Sequence, residues 1–206
     1  MKKAGKNRQT GLQTPDGETT VLLHTCCAPC SSAIIEALMQ NGITPVIYYC
    51  NPNIYPREEY EIRKNECTRY AESLGLEIVD ADYDHENWLE AVKGLEDQPE
   101  RGGRCLKCFK LRLLRTAEYA SQRGIKGITT TLASSRWKSL DQINEAGLWA
   151  CRAISSGNTS EKPDKVIWWD QNWRKGGLQE RRLQIIKEYD FYNQLYCGCE
   201  FSMRKD

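Results

Sequence analysis

The chain has 206 residues, 40% hydrophobic and 28% charged, with a formal net charge of +1. That length and composition suit one ordinary globular domain, and the charge neither demands nor excludes a nucleic-acid partner. No apolar stretch approaches membrane-spanning length, and the polar start "MKKAGKNRQTGLQTPDGE" lacks the apolar segment of a secretory signal, so a cytoplasmic protein is expected.

Residues 1–19 read as a disordered basic tail, and residues 20–206 as a single catalytic α/β domain. "VLLHTCC" is a first strand that ends in thiols. "SSAIIEALMQNG" carries apolar residues at helical spacing and stops at Asn41-Gly42. "ITPVIYYC" is a second strand, "NPNIYP" a stiff loop, and "REEYEIRKNECTRYAESLG" a helix with acids in its first turn. "LEIVDADY" makes a third strand and "HENWLEAVKGL" a third helix. After the loop "EDQPERGGR", a long helix runs over "CLKCFKLRLLRTAEYASQRG". "IKGITTTLASS" is a fourth strand, "SLDQINEAGLWACRAIS" a helix, "SGNTSEKPD" a polar break and "KVIWWD" a fifth strand. The last helix covers "LQERRLQIIKEYDFYNQL" and gives way to "YCGCEFS". Alternating strands and helices predict a doubly wound parallel five-stranded sheet. Ligands in such folds bind at the carboxyl ends of the strands, where this chain keeps "CCAPC", "YYCNPNIYP", "ASSRWK" and "DQNWRKGG".

Ten cysteines without an export signal point to metal binding or redox chemistry rather than structural disulfides. Cys27-Ala-Pro-Cys30 opens a helix, as a thioredoxin pair does, but thioredoxin needs no third thiol before the motif and does not keep alternating to the end of the chain. Cys105-Leu-Lys-Cys108 is a second C-x-x-C, too distant in sequence for a zinc ribbon. Pairing two such motifs over a long range assembles a four-thiolate site, which suits an iron–sulfur cluster or a structural zinc equally well. Cys197-Gly-Cys199 can close only a small strained ring, the labile kind of disulfide, or else forms a plain terminal turn. Cys50, Cys67 and Cys151 read as packed residues, and His24 either supports the thiols or fills the core.

These motifs, from "LLHTCCAPCS" through "YYCNPNIYPREEYEIRK", "RCLKCFKLRL" and "ITTTLASS" to "YCGCEFS", resemble the cobalamin-independent epoxyqueuosine reductases of the QueH type. The resemblance covers Val21 to Ser202, with Arg136 standing where a proline is expected. It implies reduction of epoxyqueuosine to queuosine at the wobble position of tRNA. It also implies a 4Fe–4S cluster held by Cys26, Cys27, Cys105 and Cys108, with Cys197 and Cys199 as a redox-active pair. The implied fold is that of the adenine-nucleotide α-hydrolases. Their glycine-rich pyrophosphate loop is replaced here by "HTCCAPCSS", so no ATP use is expected.

Four cysteine ligands leave no open iron for the departing oxygen. Cys30 with Asp82 or Asp84 is therefore a candidate site for an adjacent mononuclear iron, and Tyr48, Tyr49 and Tyr55 are candidate proton donors. The electron donor is unidentified. Anticodon-loop recognition calls for aromatic and cationic side chains, supplied by Arg136, Trp137, Lys138, Trp173, Arg174 and Lys175. Between Arg101 and Lys126 eight basic residues meet one acid, Glu118, either as a nucleic-acid surface or as a solvated helix face. The competing classes are an iron-free thioredoxin-like thiol oxidoreductase and a zinc-stabilised RNA-binding module.

Overall fold

The computed structural model describes residues 11–155 and 165–203. Strands β1 (Thr20–Thr25), β2 (Thr44–Tyr49), β3 (Ile78–Asp80), β4 (Gly127–Thr130) and β5 (Ile167–Trp168) form one parallel sheet in the order β3-β2-β1-β4-β5. The α-helices are α1 (Ala28–Gln40), α2 (Arg57–Ser73), α3 (His85–Val92), α4 (Gly103–Gln122), α5 (Leu140–Ser155) and α6 (Leu178–Tyr189).

The unbroken run Val21-Leu22-Leu23 makes β1 the central strand, buried on both faces. Neighbouring residues on a strand point to opposite sides of the sheet. Val21, Leu23 and Ile47 pack with α1, α2 and α6, whereas Leu22, Val46 and Ile128 pack with α4 and α5. Both faces are therefore covered by helices, and the fold is the expected doubly wound α/β domain. Helix α5 approaches β5 so closely that a Cβ on Gly147 would lie 2.2 Å from the Trp168 ring. From β1 the chain moves outward to β3 and then returns to lay β4 on the other side of β1. Strand order reverses between β1 and β4, which opens a crevice at their carboxyl ends.

Several boundaries differ from the sequence reading. Residues 11–19 are not a free tail. The N–H groups of Gly11 and Leu12 donate to Asn41 Oδ1 at 2.9 and 3.1 Å, Thr14 is buried, and Lys126 pairs with Glu18 at 3.3 Å. Helix α1 starts at Ala28 with Pro29 in its first turn, so Cys30 is already helical. Strand β4 ends at Thr130, whose Oγ1 accepts the N–H of Leu132 at 3.2 Å and starts a 3-10 helix over Thr131–Ser134. Helix α6 stops at Tyr189 instead of continuing to Leu195, because Asp190 takes a left-handed conformation (φ 50°) that ends the hydrogen-bond ladder. Residues 1–10 and the break "SGNTSEKPD" lie outside the described residues. No helix among the described residues is long and apolar enough to cross a membrane.

Candidate functional site

The crevice begins where β1 hands over to α1. Cys26 and Cys27 follow the strand directly, and Cys30 sits in the first helical turn. The three sulfurs lie within 4.8 Å of one another, close enough to hold one metal ion, and the Cys26 and Cys27 sulfurs are 3.8 Å apart. Cys26 is held well below the usual thiol range by hydrogen bonds from Cys27 and Cys30, helped by the Lys138 charge and Thr131. Burial pushes Cys27 up, and the hydrogen bond to Cys26 raises Cys30 to about 12.

The second pair comes from α4. Its N-terminus needs Gly102, because a Cβ there would meet Gln98 Oε1 at 2.8 Å and the Pro99 carbonyl at 2.9 Å. The Arg101 N–H donates to Cys105 Sγ at 3.3 Å, and Cys108 lies one turn further along the helix. Beneath Cys108 lies Arg112, 2% exposed. Its guanidinium donates to the Cys50 carbonyl at 3.1 Å, to Asn51 Oδ1 and to Cys108 Sγ at 3.9 Å. No carboxylate pairs with Arg112 among the described residues. Burial pulls its pKa down, but the charges of Cys108, Cys26 and Cys197 outweigh it and hold the group cationic.

The third pair stands on the C-terminal loop. Gly198 adopts φ +107° and presses against the protein, where a Cβ would sit 2.9 Å from Ile54. Its carbonyl accepts the Tyr55 N–H at 2.8 Å. Buried Arg63, paired with Glu59 at 2.6 Å, donates to the carbonyls of Tyr196 and Cys197 at 3.3 and 3.4 Å. Cys199 packs with Trp88 and Cys108, and burial pushes its thiol up to about 12.

Cys26, Cys30, Cys105, Cys108, Cys197 and Cys199 all line one cavity of about 1080 Å³, with Cys27 buried behind them. Among the described residues, the same wall carries eight cationic side chains, including Arg104, Arg112, Arg136, Lys138 and Arg182, against the single carboxylate Glu100. Lys138 is half-buried. Desolvation lowers its pKa, and the charges of Cys197 and Cys26 raise it further than that.

Not every residue singled out in the sequence comes to this cavity. Asp82 is exposed beyond β3, and Asp84 accepts from Asn87 at 3.2 Å; neither lines the wall, and Cys30 is grouped with Cys26 and Cys27 instead. Tyr48 stacks on Tyr119, Tyr49 donates to the Tyr60 carbonyl, and Tyr55 stacks on His85, so all three also miss the wall. Trp173 is fully buried with its ring edge-on to Trp169, which leaves no face for a base. Arg174 lines the cavity but spends its guanidinium on the carbonyls of Ser135 and Lys138, at 2.6 and 2.7 Å. Lys175 is exposed and off the wall. Arg136 and Trp137 stand at the rim, with Trp137 64% exposed.

His24 is a strut rather than a ligand. Burial, then the Arg112 charge, holds it neutral at about 3. Its Nε2–H donates to the Cys50 carbonyl at 3.0 Å, and its Nδ1 accepts from Thr130 at 2.7 Å. The sequence reading missed Arg112, Arg63 and Gln194. Arg112 left one usable signal: it follows Arg104 and Cys108 at intervals of four, on the same face of α4 as Phe109 and Leu113.

Fold and site together define a class, a doubly wound α/β protein with a thiol-lined, cation-rich cavity fit to hold a metal. Residues 21–205 match the family model "Epoxyqueuosine reductase QueH". Relatives of that name include those of Histophilus somni (47% identical, covering 98% of this chain and 82% of the relative), Haemophilus influenzae (48%; 94% and 75%) and Thermotoga maritima (34%; 89% and 90%). The chain belongs to the QueH family of epoxyqueuosine reductases.

Proposed function

We propose that this oxidoreductase reduces epoxyqueuosine in the anticodon loop of a cytoplasmic tRNA to queuosine, with a 4Fe–4S cluster held by Cys26, Cys27, Cys105 and Cys108 and with Cys197 and Cys199 as a redox pair. The reaction removes an epoxide oxygen as water, leaving an alkene, and consumes two electrons and two protons. A cluster held by these thiols would supply electrons one at a time, drawn from a reductant of the cell.

The observation that carries this reading is the company the thiols keep. Six of them face one cavity, and the buried Arg112 beneath them has sulfur, amide and carbonyl partners but, among the described residues, no carboxylate. A buried cation without an anion is costly, and thiolates supply the missing charge. The donor set, all sulfur and backed by cations, fits an anionic iron–sulfur centre.

The chain's other residues then divide the remaining work. Arg112 offsets thiolate charge from below, and Lys138 does so from the cavity side. Trp137 and Arg136 sit on a loop whose carbonyls are tied down by Arg101, at 2.8 and 3.0 Å, and by Arg174. The loop is fixed through its backbone, and the Arg136 guanidinium lies over the Trp137 ring, 5.2 Å from its centroid; the exposed pair offers a ring face to a base and a cation to phosphate. The rest of the cationic wall favours an RNA backbone, in a salt-dependent way.

The test is iron, acid-labile sulfide and the visible spectrum of protein purified without oxygen, followed by turnover of epoxyqueuosine tRNA with dithionite. Brown protein with matched iron and sulfide, bleaching on reduction and forming queuosine, is the expected result. Colourless protein holding stoichiometric zinc would overturn the cluster.

A further inference from the structure

Helix α6 ends at the left-handed Asp190, and the chain then doubles back across the first thiol motif. This return puts the Gln194 side chain over the sulfurs. Its Nε2 lies 3.0 Å from Cys27 Sγ and 3.8 Å from Cys30 Sγ, so one amide nitrogen with two N–H bonds reaches both. The opposite end of the same amide, Oε1, is buried and has no hydrogen-bond partner among the described residues. The N–H groups of such an amide bond more strongly to an anionic acceptor, as Cys27 is when it ligates a metal, and that offsets the cost of the orphaned oxygen. Turned the other way, the oxygen would face the sulfur lone pairs.

We propose that Gln194 is a positioning residue of the thiolate centre, whose amide donates to Cys27, with Cys30 as its second and longer contact, and so tunes the reduction potential of the centre that Cys27 helps to hold. This rests on the cluster reading above. A hydrogen bond to a ligating sulfur disperses negative charge, and that favours the reduced, more anionic state. The residue also stands three positions before Cys197, on the loop that carries the Cys-Gly-Cys turn. The bond therefore latches that loop to the first thiol motif, and displacement of the loop alters the electron affinity of the centre.

The experiment is a dithionite-mediated redox titration of wild type and Gln194→Leu, both purified without oxygen, with iron and sulfide counted first. Gln194→Leu keeps its iron and shifts the midpoint to more negative potential by about 59 mV, a tenfold change for a one-electron couple. Gln194→Glu, which sets a carboxylate beside the thiolates, shifts it further or loses iron. Should the leucine variant fail to accumulate, Gln194→Asn keeps an amide but shortens its reach, and reads the same shift. Equal potentials in wild type and variant, at equal iron and sulfide, overturn the inference and leave the cluster standing. A wild type without iron and sulfide overturns the cluster reading and this inference together.

Discussion

Cys26, Cys27, Cys105 and Cys108 stand at the ends of regular elements, whereas Cys197 and Cys199 stand on a loop held mainly by side chains. The first group is placed by the strand β1 and the helices α1 and α4, whose backbone bonds are internal and whose faces are buried. The second group depends on Arg63, on the Tyr55 N–H and on His85, which bonds the Pro52 carbonyl at 2.7 Å and Glu200 at 3.1 Å. Elements that share the core open only with the whole fold, but a loop pinned by a few bonds can open alone. On the proposed function, the difference suits a division of labour, with a fixed site for a cluster and a movable pair for electron exchange.

The largest effect should come from breaking the fixed side. Arg112→Met removes the buried cation, leaves Asn51 Oδ1 without its donor and leaves the Cys50 carbonyl with His24 alone. Loss of one partner of a buried charge pair costs about 3–5 kcal/mol. Urea unfolding should show that loss, and iron content should fall with it. A variant as stable as wild type with full iron would mean that the thiolates do not need this cation.

A smaller and more local effect is expected on the movable side. Gly198→Ala demands φ +107° of a residue with a side chain and drives its Cβ to within 2.9 Å of Ile54. Such strain costs about 1–3 kcal/mol, and the loop relieves it by lifting off rather than by unfolding the domain. Iron content and urea midpoint should stay near wild type while turnover falls tenfold or more. Faster proteolysis confined to the C-terminal loop would mark the lifted state. A matching drop in global stability would instead show that the two regions open together.

The same contrast explains what could be read from the sequence. Strand–helix alternation, the covered sheet and the placement of "CCAPC" at a strand end follow from local pattern, and the structure carries all of them. Misread boundaries share a physical cause, a single residue whose conformation overrides the surrounding periodicity. Asp190 ends α6 although Phe191 and Leu195 keep helical spacing, and Thr130 turns β4 into a 3-10 helix although "ITTTLASS" is β-rich. Trp173 looked like a loop aromatic until Trp169 gave it a packing partner. Gln194 carried no local signal, because Cys27 lies 167 residues away in the chain, and Arg63 showed only its helical pairing with Glu59, because the Cys197 carbonyl lies 134 residues away.

The smallest effect on the protein itself belongs to Trp137, and it separates binding from both thiol regions. Its ring is 64% exposed at the cavity rim, while its backbone carbonyl accepts from Arg101 at 3.0 Å. Trp137→Ala therefore removes a stacking face and disturbs little packing, so melting temperature, iron content and cluster potential should all match wild type. A base stacked on an aromatic ring contributes about 1–3 kcal/mol. Affinity for an anticodon stem-loop should accordingly drop about tenfold, seen as a raised KM with kcat nearly kept. Arg136→Ala should lose less affinity and also flatten the salt dependence of binding, since a guanidinium on phosphate acts through charge. Unchanged stem-loop affinity in Trp137→Ala would move the RNA contact away from this rim, toward the part-exposed cations Lys138 and Arg182 on the cavity wall.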